Sequence, residues 1–222
     1  MIKPQLIILY GPPGSGKGTQ AKILEQELGY TFLDFGQCFR DFAAIEYELS
    51  NPDKKRAKRV KDLLISGKPI LTEDFFYILK DKIEYNIRNN IKFIIDKPGS
   101  LIEESKWFNM IIKKNKINTL FIHLILDNVH ALERITHRWY LPSNPTPYPS
   151  QELALKDAKN NEIPYQRTED QSNTISSQRI TNMYSQHEVI LNEYSKNNIV
   201  IHNVQANRSI EEVKKDIKEL LV

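Results

Sequence analysis

The chain has one cysteine, Cys38, among 222 residues. A lone thiol excludes an internal disulfide and any Cys₂ or Cys₄ zinc cluster, so no zinc is expected. Long apolar runs are also missing. The longest, Thr119 to Leu126, is interrupted by His123 and has the length of a strand, far short of a membrane span. Charge of one sign is scarce too: 31 Lys and Arg oppose 28 Asp and Glu, and a net charge of +3 is too small to imply nucleic-acid binding. The five histidines show no ligand spacing such as HExxH, and His123, His130, His137, His187 and His202 read as packing or surface groups. No basic segment followed by an export stretch opens the chain, because Ile2 to Tyr10 runs straight into a glycine-rich loop; a cytoplasmic protein is the expectation.

That loop is the most informative feature present. Leu6 to Tyr10 is a short apolar run, and it breaks into Gly11-Pro12-Pro13-Gly14-Ser15-Gly16-Lys17-Gly18-Thr19-Gln20 before a helical pattern begins. Strand, glycine-rich turn and helix N-terminus together form a nest of inward-pointing N–H groups that suits a polyphosphate. Gly14, Ser15, Gly16, Lys17, Gly18 and Thr19 are the candidate phosphate-contacting residues. In most such loops a hydroxyl directly follows the lysine and meets Mg²⁺; here Gly18 takes that place and Thr19 supplies the hydroxyl.

Further apolar runs at Thr31 to Phe35, Phe93 to Ile95, Leu120 to Leu126 and Ile199 to His202 alternate with helical patterns and predict a buried five-stranded parallel sheet. Gly18 to Leu28, closed by Gly29, makes the first crossover helix. A last helix, Ile210 to Leu221, carries an Ile210, Val213, Ile217, Leu220 packing stripe. Two stretches interrupt the alternation. Residues 36–70 hold short helices and a basic segment, Lys54, Lys55, Arg56, Lys58, Arg59 and Lys61, which reads as a solvated helix face. In the other stretch, 139–165, Pro142, Pro145, Pro147, Pro149 and Pro164 limit regular structure. Arginines 134, 138, 167 and 179 flank it, which favours a lid that brings positive charge onto a phosphate. Arg134 and Arg138, four apart, are expected on one helical face.

The ten-residue loop string resembles that of adenylate kinases and their nucleoside monophosphate kinase relatives, and the resemblance continues in order along the chain. Phe35-Gly36-Gln37-Cys38-Phe39-Arg40 is similar to the family's Thr-Gly-Asp-x-x-Arg, whose arginine holds the acceptor phosphate. Ser66-Gly67-Lys68-Pro69-Ile70 resembles its Gly-Lys-Leu-Val turn, placing Lys68 and Ile70 beside the acceptor. Phe93-Ile94-Ile95-Asp96 is similar to the strand whose aspartate reaches Mg²⁺ through water. Arg134 and Arg138 match the pair at the lid entrance, Tyr148 a lid tyrosine, and Arg208 a position near the adenine. Arg167-Thr168-Glu169-Asp170 resembles the Arg-x-Asp-Asp that closes the lid, and Arg179 the next arginine.

The resemblance implies a three-layer P-loop fold with strand order 2-3-1-4-5 and one kinase domain over 1–222. Within it, an acceptor-binding insertion would lie at 36–70 and a lid at 139–178. The implied reaction is transfer from Mg²⁺-ATP to a nucleoside monophosphate, AMP first, by a monomer, with Lys17, Arg138, Arg167 and Arg179 stabilising the charge in flight. A pyrimidine monophosphate acceptor, or an ATP-binding protein without transfer, are the alternatives. They stay open because the family's Asp-Gly-Phe-Pro-Arg stands here as Asp96-Lys97-Pro98-Gly99-Ser100, without its arginine. Ser100 sits at that spacing and Lys97 is a candidate substitute charge. Phe35 stands for an acceptor-contacting threonine and Glu104 for a base-reading glutamine.

Overall fold

The computed structural model describes residues 3–221, apart from the side chain of Pro145. Five strands, β1 (Leu6–Tyr10), β2 (Thr31–Leu33), β3 (Phe93–Ile95), β4 (Thr119–Ile125) and β7 (Ile201–Gln205), form one parallel sheet in the order β2-β3-β1-β4-β7. This is the expected 2-3-1-4-5 arrangement. The last strand is seventh in the chain only because a separate two-stranded ribbon intervenes.

Strand β1 explains the three layers. All five of its residues are buried, and alternate side chains enter different cores: Leu6, Ile8 and Tyr10 face one, Ile7 and Leu9 the other. The first core is closed by helices α2 (Phe35–Ala44), α3 (Asp53–Ile65), α4 (Thr72–Arg88) and α5 (Ile102–Asn115), through Phe39, Val60, Phe75 and Phe108. The second is closed by α1 (Lys17–Leu28), α6 (Asn128–Thr136) and α9 (Ile210–Glu219), through Leu24, Ile135 and Ile217. The 24-residue helix α8 (Asn173–Lys196) runs between both, giving Ile190 and Tyr194 to the first and Ile180 to the second.

Several local expectations are corrected. β2 stops at Leu33 because the Asp34 carboxylate caps a helix, accepting from Gln37 N at 2.8 Å, so Phe35 opens α2. The last strand is displaced to 201–205, where its pairing with β4 runs from Phe121–Ile201 to Ile125–Gln205. In α9, Val213 and Ile217 are buried but Ile210 is 53% exposed and faces the cleft described below. The proline-rich stretch is more regular than its composition suggests. β5 (Trp139–Leu141) and β6 (Asn144–Tyr148) pair antiparallel, α7 (Gln151–Asp157) follows, and Tyr140 bridges to Tyr165. Pro145 and Pro147 fall between the paired residues Asn144 and Tyr148 on a strand with one open edge, where a missing N–H is tolerated.

The basic segment is also not wholly solvated. Lys54, Lys55, Lys58 and Lys61 are exposed, but Arg56 and Arg59 converge on the fully buried Asp74 carboxylate of α4. Arg56 Nε donates at 3.0 Å, and Arg59 donates from Nε at 2.9 Å and Nη2 at 2.5 Å. These bonds tie α3 to the core.

Candidate active site

The C-terminal ends of the parallel strands open into a cleft of about 900 Å³. Ten Lys and Arg line it against four Asp and Glu, a local excess that the near-neutral whole chain conceals.

One wall is the loop between β1 and α1. Gly14 has φ +87°, and a Cβ there would lie 2.8 Å from the Ala131 carbonyl oxygen of α6, so the loop is seated directly on that helix. The N-cap of α1 is Gly16, which offers no side-chain acceptor, and the first turn contains no acidic residue. Its end N–H groups therefore lack a side-chain cap and suit an anion. Lys17 folds back, its Nζ donating to the carbonyls of Gly11 at 2.8 Å and Pro12 at 2.9 Å. Burial lowers its pKa to about 8; Asp96 opposes this while Lys97, Arg138 and Arg179 add to it. Gly14, Ser15, Gly16, Gly18 and Thr19 all border the cleft, and the buried Ser15 Oγ has no partner among the described residues.

The facing wall is held by one carboxylate. Asp170, fully buried, accepts from Arg138 Nε at 2.7 Å and Nη2 at 2.6 Å, from Arg179 Nη1 at 2.7 Å and from Tyr140 Oη at 3.3 Å. Burial alone would raise its pKa, but the two guanidinium groups prevail and hold it below the usual carboxylate range. Arg167 lies over the Tyr140 ring, 3.9 Å from its centroid, and its buried Nε has no hydrogen-bond partner among the described residues. Arg40 reaches Glu169 at 3.7 Å and Gln37 Oε1 at 3.2 Å. Arg138 is not on a helical face with Arg134. Helix α6 ends at Thr136 and Arg138 leads into β5, which turns it toward Asp170, while Arg134 donates to the Ala206 carbonyl at 2.9 Å. Both arginines still line the cleft.

Also lining the cleft are Arg134, Tyr148, whose hydroxyl accepts from Asn144 at 2.9 Å, and Arg208, which pairs with Asp216. His130, His137 and Asn207 join them, the two histidines as surface groups at the cleft. Gly36, Lys68, Ile70, Asp96, Lys97 and Ser100 line the cleft too. Asp96 has its pKa raised by burial and by the neighbouring Asp34, opposed by Lys97 and Lys17. Two acidic side chains so placed suit a cation arriving with a ligand, and Thr19 borders the same space.

Two expected acceptor residues are not in the cleft. Phe35 is fully buried in the aromatic core, stacked on Phe108 at 6.1 Å between centroids. Glu104 is fully buried and spends one carboxylate oxygen on the backbone N–H groups of Ser100 and Leu101, at 2.5 and 3.2 Å. Neither side chain can read a base from there. A carboxylate in the first turn of α5 is the sequence signal that would have marked Glu104 as a cap.

The family model for adenylate kinase matches residues 9–199, which spans the loop, both interrupting stretches and α8. The chain belongs to the adenylate kinase family. It is a nucleoside monophosphate kinase, an ATP-binding transferase with the P-loop α/β fold. Relatives similar to it include the adenylate kinases of Borrelia turicatae, 28% identical over 220 residues (97% of this chain, 98% of the relative), and of Francisella tularensis subsp. novicida, 29% over 227 residues (97% and 98%). The adenylate kinase of Archaeoglobus fulgidus is 26% identical over 221 residues, 97% of both. Among the described residues no helix is long and apolar enough to cross a membrane, and no three His, Cys, Asp or Glu cluster to hold a metal.

Proposed function

We propose that this kinase transfers the γ-phosphate of ATP reversibly to a nucleoside monophosphate, with AMP the first acceptor. The observation that carries this reading is the opposition of two walls. An uncapped helix N-terminus with Lys17 faces Arg138, Arg167 and Arg179 across the cleft. Phosphoryl transfer leaves a protein little covalent work. Catalysis must come from aligning two substrates and placing cations where charge spreads.

In this scheme the loop N–H groups and Lys17 hold the β- and γ-phosphates. Lys17 gives up its two carbonyl partners for phosphate oxygens and gains a counter-charge that favours its ammonium form. Arg134, Tyr148 and Arg208 take the adenosine end. Arg138 and Arg179 trade part of their hold on Asp170 for the moving phosphoryl group, and Arg167 brings an N–H without a present partner. Arg40 fixes the acceptor, with Lys68 and Ile70 at its base. Magnesium enters with ATP as part of the substrate and supplies charge neutralisation; Thr19 and, through water, Asp96 would hold it. The 36–70 segment serves as the acceptor-binding insertion and 139–178 as a lid whose closure excludes water, so that transfer outruns hydrolysis.

The departures at Phe35, Ser100 and Glu104 favour a second reading in which the acceptor base differs, for example a pyrimidine. A coupled assay with Mg²⁺-ATP against AMP, CMP, UMP and GMP decides between them. Turnover with AMP leading supports the first, turnover led by another monophosphate the second, and tight ATP binding with no turnover refutes transfer altogether.

A further inference from the structure

The cations of the cleft differ in how they are already engaged. Arg138 and Arg179 share Asp170, Arg40 faces Glu169, and Arg208 holds Asp216. Lys97 forms no ion pair among the described residues. Its Nζ donates to the neutral hydroxyl of Ser100 at 2.9 Å and lies 5.7 Å from the centroid of the Phe39 ring. The Asp96 and Glu104 carboxylates feel its charge without bonding to it, so an ammonium held only by a hydroxyl and an aromatic face can still turn to an incoming anion.

The turn that presents it is anchored from three sides. Glu104 accepts from the N–H groups of Ser100 and Leu101, Ser105 Oγ donates to the Pro98 carbonyl at 3.0 Å, and Tyr194 Oη donates to the same carbonyl at 3.1 Å. Gly99, at φ +119°, packs so tightly that a Cβ would lie 2.7 Å from Glu104 Cβ. Glu104, Ser105 and Tyr194 are all fully buried, so the turn is rigid, and it holds the half-buried Lys97 and Ser100 side chains together at the cleft.

We infer that Lys97, with Ser100 beside it, is a second cation that anchors the acceptor's phosphate alongside Arg40, and that Glu104 is a positioning residue for this pair. The inference rests on the kinase reading above and sharpens it. An ammonium is a point charge with rotatable donors, not a planar fork, so it reads the acceptor's charge with little demand on its orientation. Phe35 and Glu104 are withdrawn into the core, and of the residues lining the cleft Phe39 is the one whose ring lies next to the Lys97 ammonium. The acceptor class is therefore a nucleoside monophosphate held through its phosphate.

The test compares Lys97→Met, Lys97→Arg, Glu104→Ala and Glu104→Gln with the unaltered enzyme. KM is measured for AMP and for ATP, AMP binding is followed by calorimetry without ATP, and melting is checked for each variant. Loss of one charge-assisted contact predicts a rise of about 10- to 100-fold in KM and Kd for AMP in Lys97→Met, with KM for ATP within about twofold. Lys97→Arg retains most of the affinity. Glu104→Ala weakens AMP in the same selective way, and Glu104→Gln, which keeps an oxygen facing the two N–H groups, recovers it. An unchanged AMP affinity in Lys97→Met overturns the inference even where turnover is normal, as does an equal loss for ATP. Calorimetry separates the two levels. An enzyme that binds AMP through Lys97 but turns over no acceptor sinks the kinase reading alone. One in which no monophosphate binds at all sinks the inference as well.

Discussion

Replacing Asp170 by Asn is the most revealing single change this structure offers. The carboxylate is fully buried and, among the described residues, is the one acidic group to which both Arg138 and Arg179 bond directly. Asn has nearly the same shape but carries no charge, and its NH₂ would meet either Arg138 Nε or the Oδ1-bound pair of guanidinium groups, donor against donor. Breaking a buried ion pair by removing one partner costs about 3–5 kcal/mol. For a chain of this length each kcal/mol is worth about 2–4 °C, so the melting temperature should fall by about 6–20 °C without nucleotide. A purely structural cluster would stop there. If instead Asp170 occupies the guanidinium groups that a polyphosphate must take over, Asn removes the competitor as well as the support. ATP affinity then rises; a tenfold gain adds about 1.4 kcal/mol, or about 3–6 °C, to the stabilisation that saturating Mg²⁺-ATP confers. Differential scanning fluorimetry with and without Mg²⁺-ATP measures both quantities on the same plate. An Asp170→Asn enzyme that melts like the unaltered one, or whose shift on adding ATP is no larger, would refute the reasoning.

The remaining predictions are simpler. Lys17→Ala and Arg138→Ala should each reduce kcat by at least about a hundredfold, since each removes charge stabilisation in the transition state; near-normal rates in a coupled assay would count against the mechanism. Asp74→Ala leaves Arg56 and Arg59 without their shared partner and should cost about 3 kcal/mol or more in urea denaturation, whereas Arg59→Ala, with Arg56 still in place, should cost less than about half of that. Acid should destabilise the fold through His123 and His187. Both have pKa values lowered, first by burial; His123 adjoins His187 at 4.8 Å and bonds Asn203, and His187 stacks on Tyr10 near Tyr184, with Glu188 opposing its shift. A lowered native pKa means stability that is complete above the unfolded value of about 6.5 and is lost as pH falls through the native one. Melting temperature should therefore drop between about pH 6.5 and 5, and His187→Phe, which keeps the stack, should flatten that slope; an unaltered slope would exclude the pair as its source.

The phosphate loop and the sheet were readable because both are written locally. Five buried apolar runs and a glycine-rich string between strand and helix need no knowledge of distant residues. The order of Arg134, Arg138, Arg167 and Arg179 around a proline-rich stretch likewise located both flanks of the cleft. What escaped depends on partners far along the chain. Nothing near Arg56 announces Asp74, eighteen residues on, and a basic helix with a buried counter-ion looks like any solvated one. Phe35 and Glu104 occupy the right places in a motif, yet Asp34 capping α2 and Glu104 capping α5 turn both side chains inward. Arg138 left its expected helix because α6 ends at Thr136, with His137 as its cap, two residues short of it. Ile210 fits an apolar stripe by period, but the end of the stripe overhangs the cleft.

The seating of Gly14 against the Ala131 carbonyl has a mechanical consequence. Loop and helix α6 meet at backbone contact, with the Ile135 side chain packed beside it, so they travel as one block, and Arg134 on that helix keeps a constant distance from the loop. Any swing of the ribbon over the nucleotide must pivot beyond Thr136. Arg138, lying just past that pivot, is the guanidinium whose reach the swing would change first.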